Sequence, residues 1–295
     1  MPDPVYLLGR GRDLITAEDG TARVIRTVGL SATVEMLTQV VRRIETDPPT
    51  HAVAGLVGAP AMGGFRAAAD AAMPELRQAR DLLYTLIDDV PGYTLISGHA
   101  LGASGEMEAV RTGYLPMADQ CAGFVTGGLL MSSFESGEPA IVTGPEVPDL
   151  SDPDDPLAWH KTGELPVHGM RRSRRVDVAA RPGGADVQID AMFRDSHVRG
   201  DGVPTIVHEY TLLATVERGT GRILESRATP RVLPWQECPG AVQSAARITG
   251  MTLPELHSRV RRELHGTGTG TCTHLNDLLR SIADARSLID LLPAG

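Results

Sequence analysis

Residues 32–35 read Ala-Thr-Val-Glu, and residues 214–217 repeat the same four residues 182 positions later. Matches continue on both sides at the same spacing and without a gap, pairing Arg12-Asp13 with Arg194-Asp195, Asp19-Gly20 with Asp201-Gly202, Pro48 with Pro230 and Gly58 with Gly240. A run of four identities flanked by turn residues at matching offsets indicates duplication of one unit. We therefore predict two copies of a single fold.

The first half of each copy has a sequence pattern typical of strands, and the second half has one typical of helices. The first half contains apolar and β-branched runs joined by Asp-Gly turns, a pattern typical of three or four antiparallel strands. The second half is rich in alanine and contains a capping box at Thr252-Leu-Pro-Glu255, where a helix is expected to begin. These patterns predict an α+β fold, with two pseudo-two-fold-related copies of an antiparallel sheet packed with helices, as in a fused homodimer.

The predicted boundaries follow from the repeat and from composition. Residues 1–136 form a degenerate N-terminal copy with an extension from residue 93, which is expected to pack between the halves. Residues 137–169 are rich in Pro, Asp and Gly and are interpreted as a linker. Residues 170–295 form the C-terminal copy, which is predicted to carry the functional site.

Composition limits the classes of function. The chain has 295 residues, 42% of them hydrophobic, and can bury a full core. Its net charge of -9 argues against a nucleic-acid partner, because phosphate binding requires clustered basic residues. The exception is Arg171-Arg172-Ser173-Arg174-Arg175, which fits either an anion grip or, as we favour, a solvated strand edge.

Localisation is predicted from two further features. No window approaches the roughly 20 apolar residues of a membrane helix, and the N-terminus does not read as a secretory signal. Three cysteines are an odd number, which favours free thiols in a reducing compartment. We therefore expect a cytoplasmic protein without a membrane partner.

The two copies diverge most at their C-terminal ends. The second copy reads Gly266-Thr-Gly-Thr-Gly-Thr-Cys272-Thr273-His274, and the first has no counterpart of the Gly/Thr run, the thiol or the imidazole; Thr85 stands opposite His274. The amides at the start of a helix at Thr273 would favour an anion or a polarised carbonyl oxygen. The same field is expected to lower the pKa of the Cys272 thiol.

These observations nominate two sets of residues. The catalytic candidates are His274, Cys272, Asp277, His197 and His208, with His274 as the proton carrier. The substrate-binding candidates are Gly268, Gly270, Thr271, Thr273 and Cys238. Structural roles compete with these, because a cysteine beside an Ala-rich helix is usually a small buried hydrophobe and a lone helical histidine is usually a packing group.

A metal is the alternative chemistry. Cys238, Cys272 and His274 could supply three zinc ligands, although their spacing matches no familiar zinc motif and a fourth ligand is not evident. The chain contains no G-x-G-x-x-G or P-loop motif, and Gly102-Ala-Ser-Gly105 is one residue short of a nucleophile elbow. We therefore expect no organic cofactor, and the preferred interpretation includes no metal.

The span from His168 to Ala283 resembles a bacterial family known as a domain of unknown function. The resemblance is carried by Arg171-Arg172, Asp201-Gly202, Cys238-Pro239 and Cys272-Thr273-His274-Leu275, where the family has a C-terminal Gly-Cys-Thr-His-Leu motif and this chain has Thr271 in place of the glycine. The whole chain is similar to a longer actinobacterial form with a degenerate N-terminal copy. The resemblance implies no activity.

Our functional hypothesis is a cofactor-independent acid/base enzyme of specialised metabolism. Its most concrete form is a cyclase acting on a polyketide-like or acyl substrate, free or carrier-bound, as in antibiotic biosynthesis; no residue specifies this substrate. The loop before Cys272 would hold the enolate or carbonyl oxygen. The alternatives are a noncatalytic small-molecule-binding or scaffold protein, and the metal-binding protein described above. The sequence does not specify an oligomeric state.

Overall fold

The structure, a computed structural model, describes residues 4–105, 117–137, 140–264 and 270–293. It divides into two compact units, both discontinuous in sequence: the first comprises Met1–His99 and Asp149–Gly163, and the second comprises Ala100–Pro148 and Glu164–Gly295. Each unit contains an antiparallel sheet packed with helices. The predicted α+β class is confirmed.

The N-terminal sheet has three strands, β1 (Val5–Thr16), β2 (Ala22–Glu35) and β3 (Val40–Asp47), in that order. After a 3-10 turn at His51–Leu56, the chain forms the helices α1 (Phe65–Ala72), α2 (Pro74–Gln78), α3 (Leu82–Asp88) and α4 (Val90–Ser104). Helix α3 packs on β1 and β2. Apolar side chains from the helices and one face of the sheet form the core of this unit.

The C-terminal sheet has four strands, in the order β4 (Met170–Ala180), β5 (Asp186–Val198), β6 (Pro204–Glu217) and β7 (Ile223–Val232). The helical elements of this unit are α5 (Leu129–Glu135), α6 (Leu256–Glu263), α7 (Thr273–Ser281) and α8 (Ala285–Ile289), with 3-10 segments at Ala122–Phe124, Cys238–Ile248, Leu253–Glu255 and Ile282–Asp284. Helix α7 packs against β5 and against the segment Cys238–Ile248. No helix among the described residues is both long and apolar enough to span a membrane.

The duplication is visible in the strand pairing. Val5 pairs with Val34 in the first sheet, and Val187 pairs with Val216 in the second, which is the same pair displaced by 182 positions. The register also shifts at the same place, after Asp13 in β1 and after Asp195 in β5. Residues 32–35 and 214–217 therefore occupy equivalent positions in the equivalent strands β2 and β6.

Strand β4 distinguishes the second sheet, because the N-terminal sheet has no strand beyond β1 among the described residues. Arg172 of β4 lies directly opposite Asp195 of β5, which in turn lies directly opposite His208 of β6. Directly opposed residues of antiparallel strands project from the same face. Three polar side chains therefore form one row across the sheet, on the same face as buried Phe193 and Tyr210.

Structural features that depend only on neighbouring residues were predicted correctly. The capping box is confirmed, with the Thr252 amide donating to Oε2 of Glu255 at 2.7 Å. The positive φ of Gly20 and Gly202, 82° and 85°, suits the two hairpin turns. Pro230 lies within β7, which tolerates it because β7 is an edge strand.

The two faces of β6 provide a test of the core. Leu212 is fully buried, whereas its neighbour Leu213 is 47% exposed on the opposite face. We expect Leu212→Ala to lower the free energy of unfolding by about 2–5 kcal/mol, because it leaves a cavity, and Leu213→Ala to change it by less than about 1 kcal/mol. Urea unfolding of both variants measures the difference, and equal losses would contradict the assigned faces.

Candidate functional site

A buried ion pair connects β4 to β5. Nε of Arg172 donates to Oδ1 of Asp195 at 2.7 Å, and its terminal NH2 donates to Oδ2 at 2.8 Å. The two side chains are 3% and 0% exposed. Such a fork is both strong and directional, so the carboxylate of Asp195 is held in one orientation. The Arg172 guanidinium also lies 5.3 Å from the centre of the Phe193 ring.

Helix α7 covers this ion pair and contributes two polar side chains. Asp277 accepts a hydrogen bond from NH1 of Arg172 at 3.1 Å. His274, in the first turn of the helix, points Nε2 at Oδ2 of Asp195 from 3.7 Å. The spacing of three residues brings both side chains to the same side of α7. Arg172 thereby links two carboxylates on different elements.

The His274 and His208 rings stack, with their centres 3.7 Å apart and their planes 16° apart. Burial, with a smaller effect from the nearby positive charge of Arg172, lowers the pKa of His274 to about 3, against the opposing effect of Asp277. The imidazole is therefore neutral at physiological pH. The structure brings three of the candidate residues, His274, His208 and Asp277, together around Asp195 and Arg172.

Asp195, His208 and His274 each offer one potential metal ligand atom, and these atoms all lie within 4.8 Å of one another. In a tetrahedral zinc site with bonds of about 2.1 Å, ligand atoms lie about 3.4 Å apart. The contact between His274 and Asp195 exceeds that value by only a few tenths of an ångström. The His208 and His274 rings stack face to face, so one imidazole must rotate out of the stack before nitrogens of both rings can face a common ion. Nδ1 of His274 lies 3.4 Å from Oγ1 of Thr273, which leaves Nε2 as the ligand atom.

The cysteines do not join this cluster. Among the described residues, the Asp195 group satisfies the distance requirement for three ligands, whereas Cys238, Cys272 and His274 do not form such a group. All three thiols of the chain are free and buried. The ligand set that we considered from the sequence is therefore replaced by one carboxylate and two imidazoles.

The expectation of a low pKa for the Cys272 thiol is wrong. Burial raises its pKa to about 12, outweighing the amides of His274 and Leu275 that donate hydrogen bonds to the sulfur. Cys272 acts as the N-cap of α7, with its sulfur 3.5 Å from the Leu275 nitrogen. The amide and hydroxyl of Thr273 lower the pKa of the Cys121 thiol, against the larger opposing effect of burial. The Cys272 sulfur thus occupies the Leu275 amide, one of the amides at the start of the helix that we had expected to bind a substrate oxygen.

The remaining candidates lie outside the cluster. His197 is buried and stacks on His168, with ring centres 5.6 Å apart. Thr271 is fully buried and its hydroxyl accepts a hydrogen bond from the Asn276 side chain at 2.8 Å, a packing role. Gly270 is exposed, and Gly268 lies outside the described residues.

The equivalent positions in the N-terminal unit lack this chemistry. Asp195 corresponds to Asp13 and His208 to Arg26, which forms a 2.6 Å ion pair with Asp81. Thr85 stands where the second copy has His274. The N-terminal unit retains the sheet and its register, but neither imidazole.

A cavity of about 560 Å³ in the C-terminal unit is lined by Gly184, Ala185, Arg218, Gly219, Arg286, Ile289, Asp290 and Leu292. None of these residues belongs to the polar cluster. Arg218 and Arg286 hydrogen-bond to backbone and side-chain oxygens around it, including Leu292, Pro293 and Asp290. We therefore locate the candidate site by its chemistry, at α7 and strands β4 to β6.

The family comparison covers this same part of the chain. Residues 170–287 match the family described as protein of unknown function (DUF2889). The resemblance predicted from the Cys-Thr-His-Leu motif is confirmed for the C-terminal copy, and the DUF2889 region contains every residue of the polar cluster. No curated protein and no solved structure gives a significant match to the chain.

Two central residues of the DUF2889 region were not among our candidates. Arg172 belongs to the basic run that we interpreted as a solvated edge; the run does lie on an edge strand, but the Arg172 side chain is buried. Asp195 was noted only as a repeat match. Its signal was available, because Asp195 continues the alternate positions Val187, Ile189, Ala191 and Phe193, and an acidic residue on such an apolar face requires a partner.

The buried thiols yield a labelling prediction. Burial raises the pKa of Cys238 to about 12 and also raises that of Cys121, so both are protonated at pH 8. We expect iodoacetamide to label the folded protein at least about 100-fold more slowly than the protein in 6 M guanidinium, because only the thiolate reacts. Mass spectrometry follows each site. Rapid labelling of the folded protein would show that the thiols are accessible and ionised.

The neutral His274 yields a pH prediction for protein treated with a chelator. Its folded pKa of about 3 lies below the ordinary value of 6.5, so the unfolded chain binds the extra proton. Stability from this site is therefore complete above about pH 6.5 and lost as the pH falls toward 3, by up to about 1.4 kcal/mol per pH unit. His274→Gln should flatten this dependence in urea unfolding. An unchanged slope would mean that His274 is not held neutral.

Proposed function

We propose that the C-terminal unit is a metal-dependent enzyme in which Asp195, His208 and His274 hold one divalent transition-metal ion. The observation that carries this proposal is the convergence of their three ligand atoms within 4.8 Å. One carboxylate and two imidazoles suit zinc or iron better than magnesium or calcium, which prefer all-oxygen sites.

The protonation state of the cluster favours a metal ligand over a free base. A general base works best when its pKa lies near the operating pH, and burial lowers that of His274 to about 3. A neutral imidazole is the form that binds a metal, and the carboxylate of Asp195 is already ion-paired to Arg172.

Among the described residues the group has three protein ligands, which favours catalysis over a structural role. Structural zinc sites are usually closed by four protein ligands, whereas catalytic sites leave a position for water or substrate. A metal at such a position supplies a Lewis acid or a hydroxide at neutral pH. Arg172 and Asp277 would then orient the ligand carboxylate, as outer-shell groups do in metalloenzymes.

The cofactor-independent acid/base enzyme stays as a second candidate function. Its specific support is the carboxylate–imidazole pair, with Nε2 of His274 3.7 Å from Oδ2 of Asp195. In such an enzyme His274 itself would carry the proton. The most specific reaction that we propose for it is cyclisation of a polyketide-like or acyl substrate. The noncatalytic binding protein predicts neither metal nor turnover.

Metal content separates these candidates. We expect the purified protein, incubated with zinc and dialysed, to retain about one equivalent by elemental analysis. Asp195→Asn, His208→Gln and His274→Gln should each weaken zinc binding by at least about 100-fold in calorimetry, since even outer-shell losses cost about 10- to 100-fold.

The repeat offers a matched control in the same chain. Asp13→Asn changes the residue equivalent to Asp195, in a unit without the two imidazoles, and should leave zinc binding unchanged. Stoichiometry well below one in the unmodified protein, or equal effects of Asp195→Asn and Asp13→Asn, would contradict the proposal and leave the metal-free candidates.

A further inference from the structure

We propose that the metal-loaded site takes a monoanionic oxygen donor, a carboxylate or an enolate, as its exchangeable ligand. This inference rests on the proposed function, because it requires the metal at Asp195, His208 and His274. It names the class of substrate group that the site recognises.

The charge of the ligand set leads to this inference. Asp195 contributes one negative charge and a metal-bound imidazole is neutral, so a divalent ion at these ligands retains one positive charge. The Asp195 carboxylate also shares its negative charge with Arg172, which contacts both of its oxygens. Asp277 offsets the guanidinium at 3.1 Å. The loaded site therefore lacks about one negative charge at the metal itself.

Because the site is buried, the missing negative charge at the metal is energetically unfavourable. The side chains of Arg172 and Asp195 are 3% and 0% exposed, so water cannot solvate an excess charge as it would at the surface. An unbalanced charge in a poorly solvated site is unfavourable, and charges interact more strongly there than in water. A small anion bound to the metal removes the imbalance, whereas a neutral ligand does not.

The approach to the site lies on the side of helix α7. The His274 side chain is 13% exposed and Asp277 is 11% exposed, whereas Asp195 is inaccessible. An incoming anion therefore passes close to the negative charge of Asp277. Asp277 and Arg172 should tune anion affinity in opposite directions, which provides a signature that a merely structural role would not produce.

The test uses the full chain loaded with cobalt, whose visible absorption reports its ligands. Acetate is the probe, and acetamide is a neutral control of nearly the same shape. We expect acetate to change the spectrum and to bind at least about tenfold more tightly than acetamide, since a net charge at bonding distance favours only the anion.

Two substitutions then change the charge near the metal. Asp277→Asn should tighten acetate binding by roughly tenfold and Arg172→Met should weaken it by a similar factor, with Arg172→Lys close to the unmodified protein because it keeps the charge. Acetamide binding should change little in all three. Should Arg172→Met fail to fold or to bind cobalt, Asp277→Asn and Arg172→Lys still decide the matter.

The outcomes distinguish the two proposals. Cobalt bound at one equivalent, with equal affinity for acetate and acetamide or with no opposing shifts in the variants, would overturn the anion inference alone. Failure to bind cobalt would overturn it together with the metal site. Selective acetate binding with opposing shifts supports both.

Discussion

The ion pair between Arg172 and Asp195 is the interaction on which the candidate site depends. It joins β4 to β5, fixes both oxygens of a fully buried carboxylate and extends the guanidinium to Asp277 on α7. Removing one partner of such a pair costs about 3–5 kcal/mol, because the other charge remains buried without compensation. Arg172 also connects the helix that carries His274 to the sheet through Asp277, in addition to the buried leucines of that helix.

Strand β4 explains why the two copies differ in chemistry. Both units share the strand pair that holds Asp13 or Asp195, but a guanidinium equivalent to Arg172 requires the additional strand. The N-terminal unit instead uses Arg26 and Asp81 as an ion pair at the position corresponding to His208. One scaffold thus contains a charge-stabilised cluster in one copy and an ordinary partly exposed salt bridge in the other.

The sequence was sufficient for features that neighbouring residues determine. Strand pairing, Asp-Gly turns and the Thr252 capping box were predictable because each depends on short-range spacing. The site was harder, because Asp195 meets its partners across strands that periodicity does not align. The Cys272 pKa was predicted in the wrong direction, since the helix-dipole rule ignores burial.

The shared bulge carries an evolutionary consequence. In each copy one extra residue, Ile25 or Val207, interrupts the strand pairing beside the acidic position. Because side chains alternate between the two faces of a sheet, this extra residue determines which face each preceding side chain of the strand occupies. The irregularity and the aspartate beside it have been retained in both halves, whereas the residue opposite that aspartate is an arginine in one copy and a histidine in the other. The bulge therefore belongs to the duplicated unit itself, and the two copies differ in the side chains that they place beside it.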